Sequence, residues 1–585
     1  MTMTTAGNLI VECLLAQGVE VAFGVPGESY LAVLEGFHAY RDKIRFVTCR
    51  HEGGAAFMAE AHGKLTGRPG VCLVTRGPGA GNAAIGLHTA FQDSTPMVLL
   101  VGDVGSDFRH REAFQEIEFS SMFGPSTGGL AKRVERIDNP KRIPEYISRA
   151  FSTAMNGRPG PVVLVLPEDM LHQRVDATPL SRAEVSYAGP DPSATQVLTA
   201  MLLQAQRPIV IAGGRWSPRG ARALQAFAEA WTLPVGNAFR FQDTFDNHHS
   251  LYAGDIGIGI NPKLAQTIRN CDLVIAIGAR LGEMTTGGYS LLSVPQPAQK
   301  LVHIHPCAEE LHRVYRADLA ICTTADAAAL SLENIAAPPE VRWADWARSV
   351  HADYEANVLP QALPGLDAAD EGVVDMPGIV AALQRYLPGD AVLTNGAGNF
   401  ASWVHRYYRY HGLAKGFKTQ LAPTNGAMGY GIPAAIAANL TTGRVTFTIT
   451  GDGDFLMNGQ ELATAAQYGC KLIVLLLNNG MYGTIRMHQE REYPQRVSGT
   501  TLVNPDFCTF ARAFGMHAEC VKNASEFEAA LRDALARENG TLLEIRLSPE
   551  VISTRATLRE ITEHALQRSA QDQVWLKDES TAETI

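Results

Sequence analysis

The sequence predicts an α/β protein built from three doubly wound domains, each containing a parallel sheet. Short β-branched and apolar runs alternate with longer amphipathic stretches along nearly the whole chain, which is typical of parallel strands joined by crossover helices. The chain has 585 residues, enough for about three domains of roughly 150–200 residues each. Hydrophobic residues make up 46% of the chain and charged residues 19%, so each domain can bury a core.

The strand-like runs fall into three groups, one for each expected domain. The first domain is predicted at residues 1–185, with strands near Val19–Phe23, Arg45–Cys49, Val71–Thr75, Met97–Val101 and Val162–Leu166. The central domain is predicted at 186–340, with strands near Pro208–Ala212, Leu273–Ile277 and Lys300–Ile304. The third domain is predicted at 370–555, with strands near Ala391–Thr394, Val445–Thr450, Lys471–Leu477 and Thr541–Arg546. A Pro-, Ala- and acid-rich surface link joins the last two domains, and the polar tail at 556–585 is predicted to be helical.

Composition excludes several classes of protein. The formal net charge is −10 and no block of Lys or Arg occurs, which argues against nucleic acid as a partner. No apolar run approaches the roughly 20 residues that a membrane helix needs, and the N-terminus lacks the pattern of a signal peptide. The nine cysteines are scattered without a CxxC pair. We therefore expect a cytoplasmic protein with reduced thiols and no membrane partner.

The strongest chemical signal is "TITGDGDFLMNGQELATAAQYGCKLIVLLLNNG". It predicts a strand, a helix with Asn458 as N-cap, and a second parallel strand. Asp452 and Asn479 then follow the carboxyl ends of neighbouring strands, where open α/β sheets bind ligands. Their hard oxygen atoms suit Mg²⁺ or Ca²⁺ rather than zinc, and Gly451 and Gly453 would let a phosphate approach the backbone. Alone, a GDG is better explained as a strand-end turn with caps; the Asn pair after the next strand reverses this and favours a Mg²⁺-diphosphate clamp.

These motifs resemble those of thiamine-diphosphate (ThDP) enzymes, most of all the acetolactate synthase branch. The resemblance also rests on "RHEGGAAFMAEAHGKLTG", "TRGPGAGNAAIGLHTAFQDSTPMVLLVGD", "AFQE" and "GAMGYGIPAAIAA". It implies a pyrimidine-binding first domain, a nucleotide-type central domain and a diphosphate-binding third domain. It implies that Mg²⁺ is held by Asp452, Asn479 and the main-chain oxygen of Met481. It further implies a homodimer or homotetramer whose active sites lie between subunits.

The resemblance assigns further roles to single residues. Glu52 would hydrogen-bond N1′ of the aminopyrimidine and activate the cofactor for attack on a 2-oxo acid. Met428 would force the cofactor to bend, and Phe114 and Gln115 would face the substrate. Without the resemblance, Glu52 is as well explained as a helix N-terminal acid, Met428 as a core methionine and "GPGAGN" as a turn. The other implied cofactor-binding residues are Pro26, Pro78, Asn82, Gly396, Gly398, Asn399, Gly426, Gly451, Gly453, Asp454 and Tyr482.

The sequence departs from the acetolactate synthase pattern around the expected substrate pocket. An arginine that holds the acceptor carboxylate in the family is replaced by Met284, and a thioether cannot form the bidentate bond of a guanidinium. His488 stands at the position of a family tryptophan, and Glu28 would repel an anion unless it is paired or protonated. Lys132 is either a pocket lysine or a solvated base. Because "RLGEM" and "DIGIGI" replace two family runs in the central domain, FAD binding stays open.

Three functions follow from these patterns. The first is a ThDP- and Mg²⁺-dependent decarboxylation of a pyruvate-like 2-oxo acid with carboligation to a second carbonyl compound. The second is a non-flavin ThDP lyase with another acceptor: a 2-oxo acid decarboxylase, a benzaldehyde-lyase-like carboligase or a C–C hydrolase. The third is a catalytically silent protein of the same fold, which retention of Glu52 and Asp452 disfavours.

Overall fold

The computed structural model of the protein describes residues 3–127, 129–182, 184–363, 365–366 and 371–568. In this part of the chain, three parallel sheets have six strands each, and apolar core clusters lie on both faces of every sheet. The predicted α/β fold with three parallel-sheet domains is confirmed. The bounds of the domains stay predictions.

The first sheet has the strand order β3-β2-β4-β5-β7-β6, and a short antiparallel pair, β1 with β8, lies beside it. Its strands and the short pair are β1 (Thr4–Thr5), β2 (Val21–Gly24), β3 (Arg45–Thr48), β4 (Gly70–Val74), β5 (Met97–Asp103), β6 (Arg133–Arg136), β7 (Pro161–Pro167) and β8 (Arg174–Val175). The helices are α1 (Ala6–Ala16), α2 (Leu31–Ala39), α3 (Glu52–Thr66), α4 (Gly77–Asp93), α5 (Phe119–Phe123), α6 (Ile143–Met155) and α7 (Glu168–Leu171). Two of these helices, α3 and α4, begin directly after strands of the sheet and carry predicted site residues at their first turns.

The central sheet has the order β11-β10-β9-β12-β13-β14. Its strands are β9 (Pro208–Ala212), β10 (Val235–Ala238), β11 (Tyr252–Ile256), β12 (Leu273–Ile277), β13 (Lys300–His305) and β14 (Leu319–Cys322). The helices are α8 (Pro192–Gln204), α9 (Pro218–Trp231), α10 (Pro262–Asn270), α11 (Ala325–Leu332) and α12 (Ala344–Val358). The order reverses beside β9, so this sheet has a crevice at its carboxyl edge.

The third sheet has the order β16-β15-β17-β18-β20-β19. Its strands are β15 (Val392–Asn395), β16 (Gln420–Leu421), β17 (Thr446–Gly451), β18 (Leu472–Asn478), β19 (His517–Cys520) and β20 (Thr541–Arg546). The helices are α13 (Met376–Tyr386), α14 (Ala401–Tyr407), α15 (Gly431–Thr442), α16 (Asp452–Asn458), α17 (Leu462–Gln467), α18 (Gly483–Glu492), α19 (Phe507–Ala513) and α20 (Ala524–Ala536). Residues 558–568 are helical, as predicted for the start of the tail; 569–585 lie outside the described residues.

One apolar core joins the first and third sheets. It runs between α3 and α15, where the Phe57 and Tyr430 rings meet edge to face with centroids 5.4 Å apart. Beside it, Lys64 forms buried ion pairs with Asp93 and, at 3.4 Å, with Glu60. The first and third domains of one chain are therefore packed together as a single unit.

Two local predictions differ from the structure in part. The link before the third domain contains the 15-residue helix α12, because Trp343, Val350 and Tyr354 recur at helical spacing and are buried against the central domain. A helix already starts directly after β17 and ends at Asn458; Asn458 is also the N-cap position of the 3-10 turn Gly459–Glu461 before α17, but its side chain makes no capping bond and donates to Gly429 O at 3.0 Å. Among the described residues, no helix combines the length and apolarity needed to cross a membrane.

Candidate functional site

The carboxyl edge of the third sheet carries the first group of predicted site residues. Asp452 follows β17 and Asn479 follows β18, and these two strands pair in parallel. The Asp452 carboxylate is buried, and burial raises its pKa above the ordinary value. Its Oδ2 accepts hydrogen bonds from Gly480 N at 2.9 Å and from Asn504 Nδ2 at 2.6 Å. Asn504, which the sequence reasoning missed, is thus part of this edge.

The oxygen atoms around Asp452 fit a hard divalent cation such as Mg²⁺. Asn504 Oδ1 is buried and has no hydrogen-bond partner within the described residues. Met481 forms a β-bridge with Thr501 in which the residues on either side of Met481 make the hydrogen bonds. The Met481 carbonyl therefore points away from that bridge. A carboxylate, amide oxygens and a main-chain carbonyl form the kind of ligand set that Mg²⁺ takes.

Asp454 fastens the loops of this edge to one another. Its Oδ1 accepts from Gly429 N at 2.9 Å and from Ala397 N at 3.1 Å, and its Oδ2 accepts from Thr450 Oγ1 at 2.7 Å. Burial raises the pKa of Asp454 to about 6. Because both oxygens are occupied, the Asp454 side chain supports the loops, and a direct bond to a diphosphate would place two anions together.

The glycines of this edge are needed for packing inside the protein. A Cβ on Gly451 would lie 2.8 Å from the Phe400 ring, and one on Gly453 would lie 2.6 Å from the Tyr482 ring. Close approach of a phosphate, the reason predicted from the sequence, is therefore not the only reason for glycine here. The same holds for Gly396, which meets Asp454, and Gly398, which meets Phe400.

Met428 is half-buried on a loop between two glycines with positive φ, Gly426 at 69° and Gly429 at 77°. A Cβ on Gly429 would come within 2.6 Å of Met457 Cβ, whereas one on Gly426 would meet nothing within 4 Å. The loop is thus held by its own packing at Gly429 and is open at Gly426.

The Asn399 amide is fully engaged within the protein. Its Nδ2 donates to Ile552 O at 2.9 Å, and its Oδ1 accepts from Thr484 Oγ1 at 3.0 Å. A contact of Asn399 with a cofactor would therefore come from its main chain, and the cofactor role that the resemblance implies for it stays a prediction.

Glu52 lies in a second group of residues, on the first domain. It opens α3 and is half-buried, and its Oε2 accepts from Asn82 Nδ2 at 2.9 Å. Glu461 of the third domain fixes the two residues before Glu52, because its Oε1 accepts from Arg50 N at 3.0 Å and from His51 N at 2.9 Å. Pro26 follows β2 and Pro78 begins α4, so both lie at the same sheet edge as Glu52.

Phe114 and Gln115 lie on an exposed loop of the first domain. Phe114 is 72% exposed, and Gln115 has a positive φ of 63°. The main-chain oxygen of Gln115 accepts from Gly77 N at 3.0 Å, which ties the loop to the start of α4. An exposed phenylalanine on a strained loop points to a surface that another chain or a ligand covers.

Glu28 forms an ion pair with Arg76. Arg76 donates to Glu28 Oε1 at 3.0 Å and to Glu168 Oε2 at 2.6 Å. Arg76 is 7% exposed, so one buried guanidinium holds two carboxylates. From the sequence, Glu28 would repel an anionic substrate unless it is paired or protonated. The structure shows that it is paired, with Arg76.

Lys132 and His488, the two remaining predicted pocket residues, have different surroundings. Lys132 Nζ donates to Thr153 O and Asn156 O, both at 2.6 Å, and burial lowers its pKa to about 8. Lys132 therefore closes the end of α6 and is neither a pocket cation nor a solvated base. His488 is exposed on α18.

A cavity of about 1200 Å³ lies between the central and third domains and reaches residues of the first. Met284 lines it together with Arg240 and Asp255 of the central domain and the loop at Gly398 of the third. Burial raises the pKa of Asp255 to about 8, although Arg240 opposes this. The cavity thus joins the central domain to the loops that carry predicted cofactor residues.

The central domain does not offer the usual diphosphate site of a dinucleotide such as FAD. That site is the N-terminus of the helix after the first strand, here α9. The Asp326 carboxylate already accepts from Ser217 N there, at 3.0 and 3.2 Å, and Ser217 Oγ caps Gly220 N. A diphosphate at this position would face a carboxylate, so the arrangement does not fit a flavin held in that way.

Within one chain, the two groups of site residues make no direct polar contact with each other in the part of the chain that the structure describes. No hydrogen bond or ion pair between described residues joins the group at Glu52 and Asn82 to the group at Asp452 and Asn479. Both groups are bordered by exposed apolar side chains. These are Ile85, Phe114 and Ile117 on the first domain and Leu456, Met457, Ile485 and Val503 on the third.

Comparison with known proteins explains why the same chain carries both groups. Profiles of thiamine pyrophosphate enzymes match three segments: the N-terminal TPP binding domain at residues 4–122, the central domain at 195–332 and the C-terminal TPP binding domain at 396–545. The chain belongs to the thiamine pyrophosphate enzyme family. It is therefore a thiamine-diphosphate-dependent enzyme, and the thiamine-binding domains expected from the motifs are confirmed.

Its similar relatives within the thiamine pyrophosphate enzymes include large subunits of acetolactate synthases. The Escherichia coli isozyme 2 large subunit is 30% identical over 542 residues, which cover 92% of this chain and 94% of the relative. The probable Methanocaldococcus jannaschii large subunit is 30% identical, with coverages of 92% and 91%. The Corynebacterium glutamicum large subunit is 31% identical, with coverages of 91% and 84%. The predicted acetolactate synthase-like character is confirmed at this level.

Proposed function

We propose that the protein is a ThDP- and Mg²⁺-dependent enzyme that decarboxylates a pyruvate-like 2-oxo acid and joins the remaining fragment to a second carbonyl compound. The observation that carries the proposal is the cluster of oxygen ligands around Asp452 at the edge of a TPP-binding domain. Likeness to acetolactate synthase large subunits over more than nine-tenths of the chain supports the reaction type.

The third domain would hold the metal and the diphosphate. Asp452, Asn479 and the Met481 carbonyl are proposed as Mg²⁺ ligands, with the buried, unpartnered Oδ1 of Asn504 beside them. Asp454 keeps the loops at Ala397 and Gly429 in place by hydrogen bonds. The bound cofactor supplies the electron sink for loss of CO₂.

The first domain would control one proton. Asn82 holds Glu52 Oε2, which leaves Oε1 available to share a proton with the N1′ nitrogen of the aminopyrimidine. Met428, half-buried on its loop, would support the bent shape of the cofactor. Phe114 and Gln115 would cover the substrate and exclude water.

The two groups would meet across an interface between two copies of the chain, in a homodimer or homotetramer. The lack of a direct polar contact between Glu52 and Asp452 among the described residues of one chain supports this, as do the exposed apolar side chains beside both groups. Nucleic acid is not a proposed partner. A reduced, cytoplasmic setting is proposed as well, supported by nine free cysteines.

The alternative is a non-flavin ThDP lyase with a different acceptor. Met284 in the cavity and the Asp326 carboxylate at the start of α9 favour it. The experiment that separates the two supplies purified enzyme with ThDP, Mg²⁺ and pyruvate and then assays acetoin after acid treatment. Acetolactate formation supports the synthase; acetaldehyde without acetolactate supports the lyase. An enzyme with Glu52→Gln that keeps full turnover would refute the proton role of Glu52.

A further inference from the structure

We propose that Arg240 is the residue that binds the carboxylate of the 2-oxo acid, in the cavity between the central and third domains. The inference rests on the proposed function, and it fills the gap left by Met284, which cannot bind a carboxylate. Arg240 lines the same cavity as Met284 and follows β10 of the central sheet.

Arg240 presents an unused hydrogen-bonding edge. Its Nη1 donates to Gly396 O at 3.1 Å, on the loop that carries predicted cofactor residues. No partner for Nε or Nη2 occurs among the described residues, and Nε is buried. Nε and Nη2 form one side of the guanidinium, where a carboxylate accepts two parallel hydrogen bonds.

The nearby acids do not contact the Arg240 guanidinium directly. Asp93 is paired with the buried Lys64 and also accepts from Thr424 N at 2.8 Å. Asp454 is occupied by three hydrogen-bond donors. Asp255 is kept in its neutral form at neutral pH, because burial raises its pKa to about 8. Asp93, Asp454 and Asp255 thus act on the Arg240 charge from nearby, but none of them forms a direct ion pair with it among the described residues, so the Nε–Nη2 side is left for a ligand carboxylate.

The backbone and the ring below Arg240 fix its direction. Arg240 has a positive φ of 65°, a conformation that costs energy in a residue with a side chain and that collects at binding sites. Its guanidinium lies over the Phe239 ring, 5.0 Å from the centroid. Asp255 Oδ1 is also buried without a partner at this cavity and could donate to the ligand when protonated.

The test is direct binding of oxamate, an unreactive analogue of pyruvate, to the enzyme loaded with ThDP and Mg²⁺, measured by isothermal titration calorimetry. We expect Arg240→Gln to weaken oxamate binding about 10- to 100-fold, because a charge-assisted bidentate pair is lost. We expect Arg240→Lys to weaken it about 10-fold, since the ammonium keeps the charge without the fork. Oxamide, which is neutral, should bind all three proteins alike.

Arg280→Gln is the matched control. Arg280 lines the same cavity, but its guanidinium already contacts Glu310 at 3.3 Å and Gln92 O at 3.2 Å. Oxamate binding to this variant should stay within about twofold of the wild type. The inference would be overturned if Arg240→Gln or Arg240→Lys bound oxamate as tightly as the wild type. It would also be overturned if Arg240→Gln and Arg280→Gln lost the same oxamate affinity. If Arg240→Gln does not fold, the result for Arg240→Lys decides. Pyruvate turnover by the wild type tests the proposed function separately, because oxamate binding requires no turnover.

Discussion

Replacing Glu461 by alanine should damage stability and activity together. Glu461 is fully buried and belongs to the third domain, yet its carboxylate accepts the main-chain N–H groups of Arg50 and His51, immediately before Glu52. Alanine would leave both part-buried N–H groups without this partner. At about 1–3 kcal/mol for each unpaired group, the free energy of unfolding should fall by about 2–6 kcal/mol. The start of α3 should also shift, which would misplace Glu52.

Glu461→Gln is the matched control for this prediction. A glutamine oxygen can accept both N–H groups, and its amide can donate to Thr464 Oγ1, which now donates to Glu461. Because burial raises the pKa of Glu461, a neutral side chain is tolerated there. Urea unfolding and pyruvate turnover should show a large loss for Glu461→Ala and a small one for Glu461→Gln. Equal stability and activity of the alanine variant and the wild type would refute the reasoning.

Three further predictions concern single acids and one buried base. Asp452→Asn removes an anionic ligand and should raise the Mg²⁺ concentration for half-maximal turnover about tenfold or more; an unchanged Mg²⁺ titration would argue against the metal site. The pKa of Asp255 is about 8 in the folded protein and about 3.9 in the unfolded chain. Between these pH values, the free energy of unfolding of the wild type should therefore fall relative to that of Asp255→Asn, by at most about 1.4 kcal/mol per pH unit. Urea titrations across that range should show the gap widening with pH, whereas a constant gap would contradict the buried neutral acid. Lys64→Met leaves Asp93 and Glu60 buried without their cation, and the free energy of unfolding should fall by about 3–5 kcal/mol; a loss below about 1 kcal/mol, as for a surface pair, would show that the network is solvated.

Much of the fold could be predicted because its central strands are apolar runs between clear turns. Pro208–Ala212, Leu273–Ile277 and Thr541–Arg546 were predicted with the bounds that the structure has. The strands that the sequence did not reveal are short or polar, such as β6 (Arg133–Arg136) and β19 (His517–Cys520) at the edges of their sheets. Edge strands need no apolar residues on both faces, so periodicity does not mark them.

The candidate site likewise contains residues that could be predicted from the sequence and residues that could not. Asp452 and Asn479 could be predicted because a glycine turn and an Asn pair mark two strand ends. Asn504 carries only an Asn-Pro turn signal, and Arg240 and Glu461 carry none, because their partners lie in other domains. Pairing across domains depends on how the three sheets pack, which local sequence patterns do not determine.

The most direct test of the account is subunit complementation between Glu52→Gln and Asp452→Asn, assayed at a Mg²⁺ concentration too low for the Asp452→Asn site to turn over. If each site takes Glu52 from one chain and Asp452 from its partner, a mixed dimer contains one intact site and one doubly altered site. Unfolding and refolding an equal mixture should then restore about a quarter of wild-type pyruvate turnover, since about half of the dimers are mixed. Turnover no higher than that of the separate variants, in a mixture shown to contain mixed dimers, would contradict a site shared between two chains.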